Sequence, residues 1–286
     1  MRVVSLIIVL AFASKVGVAQ TDYKLDKGNI TTELQLSLFN TSGKIHYNDD
    51  DETVSYLSTG PLSLSGLRLR YAFSEKLALR ATVGLDFGHN STKRKHDDII
   101  TDFNGIPIGF GKGSSMDKSK HTEFSVAPGI EYHFGNWERM SVYFAGEVLF
   151  GMRMTNGSSE MEVEITDFLG GGMSNYKILT TLKTKNCEET RSYYPYYTPS
   201  YRQNGVFYLG IAASIGMDFY IYKGLYLGAE LGLGYLYANA LKGSVTVSTK
   251  INGVTSEPVD IKLDDKINSG NLAFRCNPMI RIGWKF

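Results

Sequence analysis

Apolar and polar residues alternate with a period of two along most of the chain. In residues 77–87 the odd positions are apolar, while the even positions include Arg80 and Asp86. The same alternation recurs in residues 32–38, 62–73, 124–134, 140–154, 207–221, 225–237 and 272–286. A period of two predicts β-strands, because successive side chains of a strand point to opposite faces. The pattern predicts about eight strands, near the roughly 9–11 residues that a tilted transmembrane strand needs.

One of these segments changes phase in its middle. Leu62 and Leu64 share one parity, whereas Leu67 and the apolar residues after it have the other. One extra residue in a strand restores the register of the pleat. The sequence therefore predicts a β-bulge near Ser65 and Gly66.

The two faces of the predicted strands differ in kind. The less apolar face is rich in Gly, Ser and charged residues, without the Lys, Glu and Thr mixture of a wetted surface. The apolar face is aliphatic in the middle and aromatic at both ends, as the boundary regions of a bilayer favour. This pattern predicts that the apolar face contacts lipid. A soluble sandwich or a lipocalin-like barrel is the alternative.

The connections between the strands alternate in length. Three are tight, at 74–76, 135–139 and 222–224, and four are long, at 40–61, 88–121, 155–204 and 239–270. Short periplasmic turns and long extracellular loops are typical of outer-membrane barrels, which must close because lipid cannot satisfy an open edge. The predicted fold is all-β, a closed antiparallel transmembrane barrel of about eight strands. An even number of strands puts both termini in the periplasm.

The N-terminal residues predict an export signal. Arg2 is followed by an apolar run at 3–13, and Ala19 ends a stretch of small residues that suits cleavage. The run is too short to span a bilayer, which takes about 20 residues. We expect a signal peptide at 1–19, a periplasmic segment at 20–29 and the barrel at 30–286.

Composition narrows the range of partners. The 286 residues include 30 Lys and Arg and 29 Asp and Glu, so the net charge is close to zero and gives no reason to expect a nucleic-acid partner. The acidic run at 48–52 lacks the glycine and downstream glutamate of an EF-hand. The sequence predicts no cofactor and no metal site.

Charged side chains of both signs share the inward parity of the predicted barrel. They are Glu33, Arg68, Arg70, Arg80, Asp86, Glu123, Glu131, Glu147, Arg153, Asp218, Glu230, Arg275, Arg281 and Lys285. The interior of an eight-stranded barrel is only wide enough for side chains to fill. These groups are therefore predicted to form a network of ion pairs that plugs the lumen.

The C-terminal residues Ile280, Ile282, Trp284 and Phe286 resemble the terminal signal that the barrel-insertion machinery reads. With the strand pattern, residues 28–286 resemble the small eight-stranded outer-membrane barrels. These include the transmembrane domain of outer membrane protein A, its X-type relatives and porin-like "outer membrane protein beta-barrel domain" proteins. The resemblance implies the outer membrane of a Gram-negative bacterium. It also implies contact with outer-membrane lipids, lipopolysaccharide and the insertion machinery, but it does not indicate an activity.

Two features of the predicted loops suggest that they bind a partner. The third long loop carries a cluster of large rings and one guanidinium, at Tyr193, Tyr194, Tyr196, Tyr197, Tyr201 and Arg202. Tyr and Arg are frequent at binding hot spots, although these tyrosines could also simply cover the rim. In the fourth loop, Asn252-Gly253 between alternating segments predicts a hairpin that projects as a ribbon, whose edge could pair with another chain.

The sequence thus favours a structural or surface-interaction role, with adhesion to or binding of an unknown extracellular or envelope protein. A narrow porin-like channel for small solutes is one alternative. A lipid A-modifying enzyme, an acylase or deacylase, is another, because His89 and His121 flank the second long loop near Asp86. No spacing fixes a nucleophile beside a base, so the chain is predicted not to be an enzyme.

The chain has two cysteines, which lie far apart in the sequence. Cys187 falls in the third long loop and Cys276 near the outer end of the last predicted strand. An oxidising compartment permits a disulfide between them, and two free thiols are the equal alternative.

Overall fold

The computed structural model describes residues 26–37, 41–46, 53–59, 63–101, 107–167, 174–190, 200–222, 224–264, 267–273 and 279–286. The predicted leader at 1–19 lies outside these residues. The described chain is built from strands, and it contains no helix long and apolar enough to cross a membrane.

The described residues form seventeen strands. The first nine are β1 (Ile30–Ser37), β2 (Thr41–His46), β3 (Thr53–Thr59), β4 (Ser63–Ala72), β5 (Leu77–Thr101), β6 (Pro107–Asn136), β7 (Met140–Asp167), β8 (Ser174–Lys185) and β9 (Cys187–Thr190). The remaining eight are β10 (Ser200–Gln203), β11 (Val206–Tyr222), β12 (Leu225–Ala240), β13 (Gly243–Ile251), β14 (Val254–Thr255), β15 (Val259–Leu263), β16 (Asn268–Ala273) and β17 (Met279–Lys285).

Eight of the strands form a closed antiparallel ring. Their order is β1-β4-β5-β6-β7-β11-β12-β17, and β17 pairs with β1 to close it. At the end of this seam, the Phe286 amide donates to the Ile30 carbonyl at 2.8 Å. Closure leaves the barrel without an open edge, which confirms the predicted eight-stranded antiparallel barrel.

The predicted bulge is confirmed in β4. Gln35 of β1 lies opposite Gly66, while the next residue, Leu36, lies opposite Leu64. Ser65 is therefore the extra residue, and it accounts for the change of parity between Leu64 and Leu67.

The outer face of the barrel is an apolar belt. Its middle is aliphatic, and side chains such as Leu79, Ile130 and Ile211 are 52%, 47% and 63% exposed. Exposed aromatic side chains lie towards the two ends of this belt. They are Tyr71, Phe73, Tyr132, Phe134, Phe219 and Trp284 at one end, and Phe87, Phe124, Phe150, Phe207 and Tyr235 at the other. This surface is unsuited to water and matches the hydrocarbon and interface regions of a bilayer.

One end of the barrel, which we call the turn end, carries the predicted short connections. The amide of Leu77 donates to Ser74 Oγ at 3.0 Å in the first turn. In the third turn Gly224 has a φ of +113°, a conformation that L side chains rarely adopt. Near this end Gly28 donates to the carbonyl of Ala72 at 2.7 Å, so part of the predicted periplasmic segment is bonded to the barrel.

At the opposite end three strands continue far beyond the ring. β5, β6 and β7 have 25, 30 and 28 residues, about two to three times what a bilayer needs. Residues 88–101, 107–121 and 155–167 of these strands, with β8, β13, β14 and β15, form a sheet that we call the extension. The prediction of long loops at 88–121 and 155–204 is therefore wrong for much of their length. Residues 88–98 and 112–121 are largely polar on both faces and lack the apolar alternation that marks a strand, whereas residues 161–165 of β7 do alternate.

The extension meets the barrel at Asn186. β7 pairs with β11 up to Arg153 opposite Val206, and with β8 from Asn156 opposite Lys185. Asn186 has a φ of 52°, and its amide donates to the carbonyl of Thr155 at 2.7 Å. Because Asn186 adopts the left-handed conformation, the chain can turn away from β7 at this point. β7 therefore pairs with β8 in the extension and with β11 in the barrel.

The predicted hairpin is present, but it does not project freely. Asn252 and Gly253 have φ values of 48° and 86°, as a type I′ turn requires. β13 pairs with β15 and β14 on one side and with β8, from Ser244 to Ile251, on the other. In the described chain, β14 and β15 therefore form one unpaired edge of the extension, and residues 88–101 of β5 form the other.

Candidate functional site

The barrel interior contains ion pairs that connect opposite walls. Arg70 of β4 lies 2.6 Å from Asp218 of β11, measured from Nη1 to Oδ2. The Nε of Arg70 is 2.5 Å from Glu33 Oε1 and 3.2 Å from Glu131 Oε1. The side chains in these pairs have no exposure to solvent. The Arg70 guanidinium therefore connects its own strand, β4, to β1, β6 and β11.

Arg281 of β17 completes this group of charges. Its Nη2 donates to Asp218 Oδ1 at 2.7 Å, and its Nη1 donates to Glu33 Oε2 at 3.2 Å. Asp218 thus accepts from Arg70 on one oxygen and from Arg281 on the other. Bonds between an arginine and a carboxylate are among the strongest in proteins.

A second group lies one step nearer the extension. Arg68 and Arg80 both donate to Glu230 Oε2, at 2.7 and 3.1 Å. The Nε of Arg80 is 2.7 Å from Glu147 Oε1, and Arg68 Nη2 is 3.5 Å from the same oxygen. Both arginines therefore contact both Glu147 and Glu230.

Buried tyrosines link these charges to the barrel wall. Tyr143 Oη donates to Glu230 at 2.7 Å, and Tyr226 Oη donates to Glu33 at 2.7 Å. The ring of Tyr143 lies over Gly216, its register partner on the next strand, where a Cβ would stand 2.3 Å from the phenol. Tyr226 lies in the same way over Gly283. Small residues on the inner face therefore make room for the rings.

Most of the predicted lumen residues lie together in these two groups: Glu33, Arg68, Arg70, Arg80, Glu131, Glu147, Asp218, Glu230 and Arg281. Glu123 and Arg153 form a separate pair nearer the extension, 4.0 Å apart. Lys285 lies near the turn end, with its Nζ 5.9 Å from the centre of the Tyr220 ring. Arg275 falls outside the described residues.

Asp86 is an exception to the predicted network. Its side chain is 55% exposed and lies 3.3 Å from His121 Nε2. The reason is the position of Asp86 on β5. β5 pairs with β4 only as far as Val83, so the inner face beyond that point opens to solvent.

A polar cavity of about 260 Å³ opens at the base of the extension. The residues around it include Asn90, Thr92, Asp117, Ser159, Thr184 and Asn204. No sequence pattern predicts this cavity, because most of the strands around it lie in segments whose sequence predicts loops. Two of its residues are already hydrogen-bonded, with Ser159 Oγ donating to Asp117 Oδ1 at 2.6 Å.

The predicted aromatic cluster is described only in part. Tyr201 and Arg202 lie on β10, where Arg202 Nη2 is 2.5 Å from Glu188 Oε1 of β9. The other members, Tyr193, Tyr194, Tyr196 and Tyr197, lie outside the described residues.

Cys187 is a buried free thiol, and its Sγ donates to the carbonyl of Ser244 at 3.3 Å. The surrounding protein raises the pKa of this thiol above its ordinary value, because burial disfavours the thiolate. Cys276 falls outside the described residues, so the disulfide between them stays a prediction.

The residues of the predicted insertion signal line the last strand. Ile280, Ile282 and Trp284 all point outward from β17 and are exposed in the belt. Phe286 lies at the closing seam, where its backbone bonds to Ile30. Recognition of these residues by the barrel-insertion machinery stays a prediction.

The histidines have different partners. His133 lies between Ser141 Oγ, 2.7 Å from its Nδ1, and Glu131 Oε2, 3.3 Å from its Nε2, and all three side chains are buried in the lumen. Among the described residues, no serine hydroxyl donates to His89 or to His121, whose hydrogen-bond partner is Asp86. The described part of the chain contains no group of three or more His, Cys, Asp or Glu side chains that could hold a metal ion.

The sequence matches one protein family over most of its length. The family is described as "Putative OmpA-OmpF-like porin family", and its model covers residues 59–286. No curated protein matches the sequence significantly.

Several solved outer-membrane proteins are similar to the chain. Outer membrane protein W of E. coli is 12% identical, with a TM-score of 0.32, over 91% of this chain and 99% of that one. OprG of Pseudomonas aeruginosa is 11% identical, with a TM-score of 0.31, over 93% and 99%. Ail, the attachment invasion locus protein of Yersinia pestis, is 11% identical, with a TM-score of 0.27, over 92% and 100%.

Proposed function

The chain belongs to the OmpA-OmpF-like porin family, and we propose that this member is a sealed barrel that presents its extension to a protein partner. It is an outer-membrane β-barrel of the porin-like type found in Gram-negative bacteria, with an apolar belt that suits this location. The observation that carries the proposal is the buried contact between Arg70 and Asp218, which lie on opposite walls of the ring.

The filled lumen argues against the alternative of a channel. The arginines and carboxylates at its centre are almost completely buried, and each contacts charges of opposite sign. A solute would have to separate these pairs, and an uncompensated buried charge costs about 3–5 kcal/mol. Water-filled channels occur in barrels of about 16–18 strands, whereas the interior of an eight-stranded barrel is just wide enough for side chains or one small ligand.

The orientation of the barrel is part of the proposal. With an even number of strands in the ring, both termini leave at or near the turn end. We place the turn end in the periplasm and the extension outside the cell, as short periplasmic turns and long external segments are arranged in such barrels.

The edge of the extension formed by β14 and β15 is the proposed binding surface. Val254, Val259 and Ile261 on β14 and β15 are 74%, 59% and 37% exposed. The edge stops at Leu263, whose carbonyl accepts from Gln203 Nε2 at 3.1 Å. An exposed apolar edge can pair with an extended segment of another protein, which gains backbone hydrogen bonds and side-chain contacts. The partner is therefore a protein with an extended, alternately apolar segment.

Site-specific photo-crosslinking in intact cells tests this proposal. A photoreactive residue at Ile261 on the edge should give a discrete adduct with another protein. The same residue at Thr181, which lies inside the sheet between β7 and β13, serves as the control and should give none. Adding Val259→Lys should remove the Ile261 adduct, because a charge on the strand opposes pairing. Absence of an adduct at Ile261, or equal adducts at both sites, would contradict the proposal.

A further inference from the structure

Four lysines form a compact patch on the outer face of the extension. Lys120 of β6 and Lys185 of β8 lie opposite the same residue of β7, Asn156. In the next row, Lys118 and Lys183 lie opposite Ser158. Neighbouring strands are about 4.8 Å apart and residues two apart in a strand about 7 Å, so four charges share an area about 10 Å wide.

The patch directly continues the lipid-facing surface. Phe124 of β6 belongs to the exposed belt, and Lys120 and Lys118 follow it on the same face in steps of an even number of residues. Met154 of β7 is exposed on this face, and the next residue outward is Asn156. The lysines therefore begin about two residues, or about 7 Å, beyond the edge of the belt, at the level of lipid headgroups.

In the described chain these lysines form no ion pair, unlike other lysines of the extension side, although Glu160 of β7 lies on the same face one row farther out. Lys177 is paired with Glu162, and Lys242 lies 2.8 Å from Asp264. Among the described residues, by contrast, none of the ammonium groups of Lys118, Lys120 and Lys183 takes part in an ion pair, and neither does that of Lys185. Clustered like charges on one sheet face are unfavourable unless an anion neutralises them.

We propose that the patch binds the phosphate groups of phosphorylated glycolipids in the outer leaflet. Charge complementarity and continuity with the belt favour a lipid headgroup over a soluble anion. The Asn156 amide and the Ser158 hydroxyl lie between the two lysine pairs and can donate further hydrogen bonds to phosphate oxygens. The choice of leaflet rests on the orientation given in the proposed function.

Binding of the bisphosphorylated lipid A glycolipid to the full-length protein in neutral detergent micelles tests the proposal. The patch variant combines Lys118→Gln, Lys120→Gln, Lys183→Gln and Lys185→Gln. The matched control combines Lys112→Gln, Lys177→Gln, Lys242→Gln and Lys250→Gln, which are also exposed lysines of the extension side. We expect affinity to fall at least about tenfold in the patch variant and to change less than about twofold in the control. Equal losses, or none in the patch variant, would overturn the proposal.

Four further measurements test the nature of the ligand and the fold of the variant. A variant with arginine at all four patch positions should keep the affinity, because the charge is retained. Lipid A without its phosphates should bind the original protein and the patch variant equally weakly. Inorganic phosphate should not displace the glycolipid at millimolar concentration, and displacement would show that the patch takes a soluble anion instead. In micelles without glycolipid, the patch variant should have the same unfolding temperature as the original protein. A lower unfolding temperature would attribute the loss of affinity to impaired folding and would overturn the proposal.

Discussion

Arg70 and Asp218 meet at 2.6 Å although their strands lie on opposite sides of the barrel. In the ring of eight, β4 and β11 are four strands apart in either direction. Arg80 of β5 and Glu230 of β12 are related in the same way, with 3.1 Å between their closest atoms. These two pairs span the whole cross-section, so the charged interior acts as a strut that both closes the lumen and fixes its width.

Removal of one charge from this strut should destabilise the barrel strongly. Asp218→Asn keeps the shape of the side chain but removes the carboxylate that Arg70 Nη1 and Arg281 Nη2 share inside the barrel. We expect the free energy of unfolding in lipid vesicles, measured by urea titration, to fall by about 3–5 kcal/mol. Asp264→Asn is the control, because its partner Lys242 is exposed and such pairs contribute at most about 1 kcal/mol. Similar losses in both variants would contradict the role of the strut.

Adding a methyl group to the inner wall tests the packing of the Tyr143 ring against Gly216. In Gly216→Ala the new Cβ would lie 2.3 Å from the phenol oxygen of Tyr143, which is itself bonded to Glu230. The ring has to shift, and overpacking of this kind costs about 1–3 kcal/mol. Gly146→Ala places a methyl where no atom lies within 4 Å, so its stability should stay within about 0.5 kcal/mol of the original. Thermal unfolding of the two variants in the same micelles measures the difference.

The thiol of Cys187 should react slowly in the folded protein. Burial raises its pKa, and maleimide reacts with the thiolate. In a Cys276→Ser variant, which carries one thiol, labelling at neutral pH should be slower than in the urea-unfolded chain. The labelling rate of the folded protein should still be rising at a pH where that of the unfolded chain has levelled off. Labelling that is equally fast in both states would show that the thiol is exposed.

The sequence was sufficient to predict the barrel itself. A period of two with a lipid-suited face identified the strands, and the change of parity at Ser65 located the bulge. Tight turns followed from short polar connections such as the one at Ser74. These features are local, since each depends on neighbours within one strand or one hairpin.

The sequence does not predict which lumen charges pair with each other, and the reason is physical. Parity assigns Arg70 to the inner face, but its partner Asp218 is 148 residues away and is selected by the ring closure. The extension was missed because a strand with two polar faces, such as the one carrying Lys118 and Asp117, has no apolar period to reveal it. Asp86 shows the converse, because its parity is that of the inner face but the pairing of its strand β5 with the neighbouring β4 ends at Val83.

The electrical conductance of planar bilayers that contain the purified protein tests the sealed lumen most directly. The account predicts no steady channel on the nanosiemens scale across a range of voltages. A double variant with Arg70→Ala and Asp218→Ala, which removes one cross-lumen strut, should conduct measurably under the same conditions if it inserts. Steady nanosiemens channels from the unaltered protein would contradict the account.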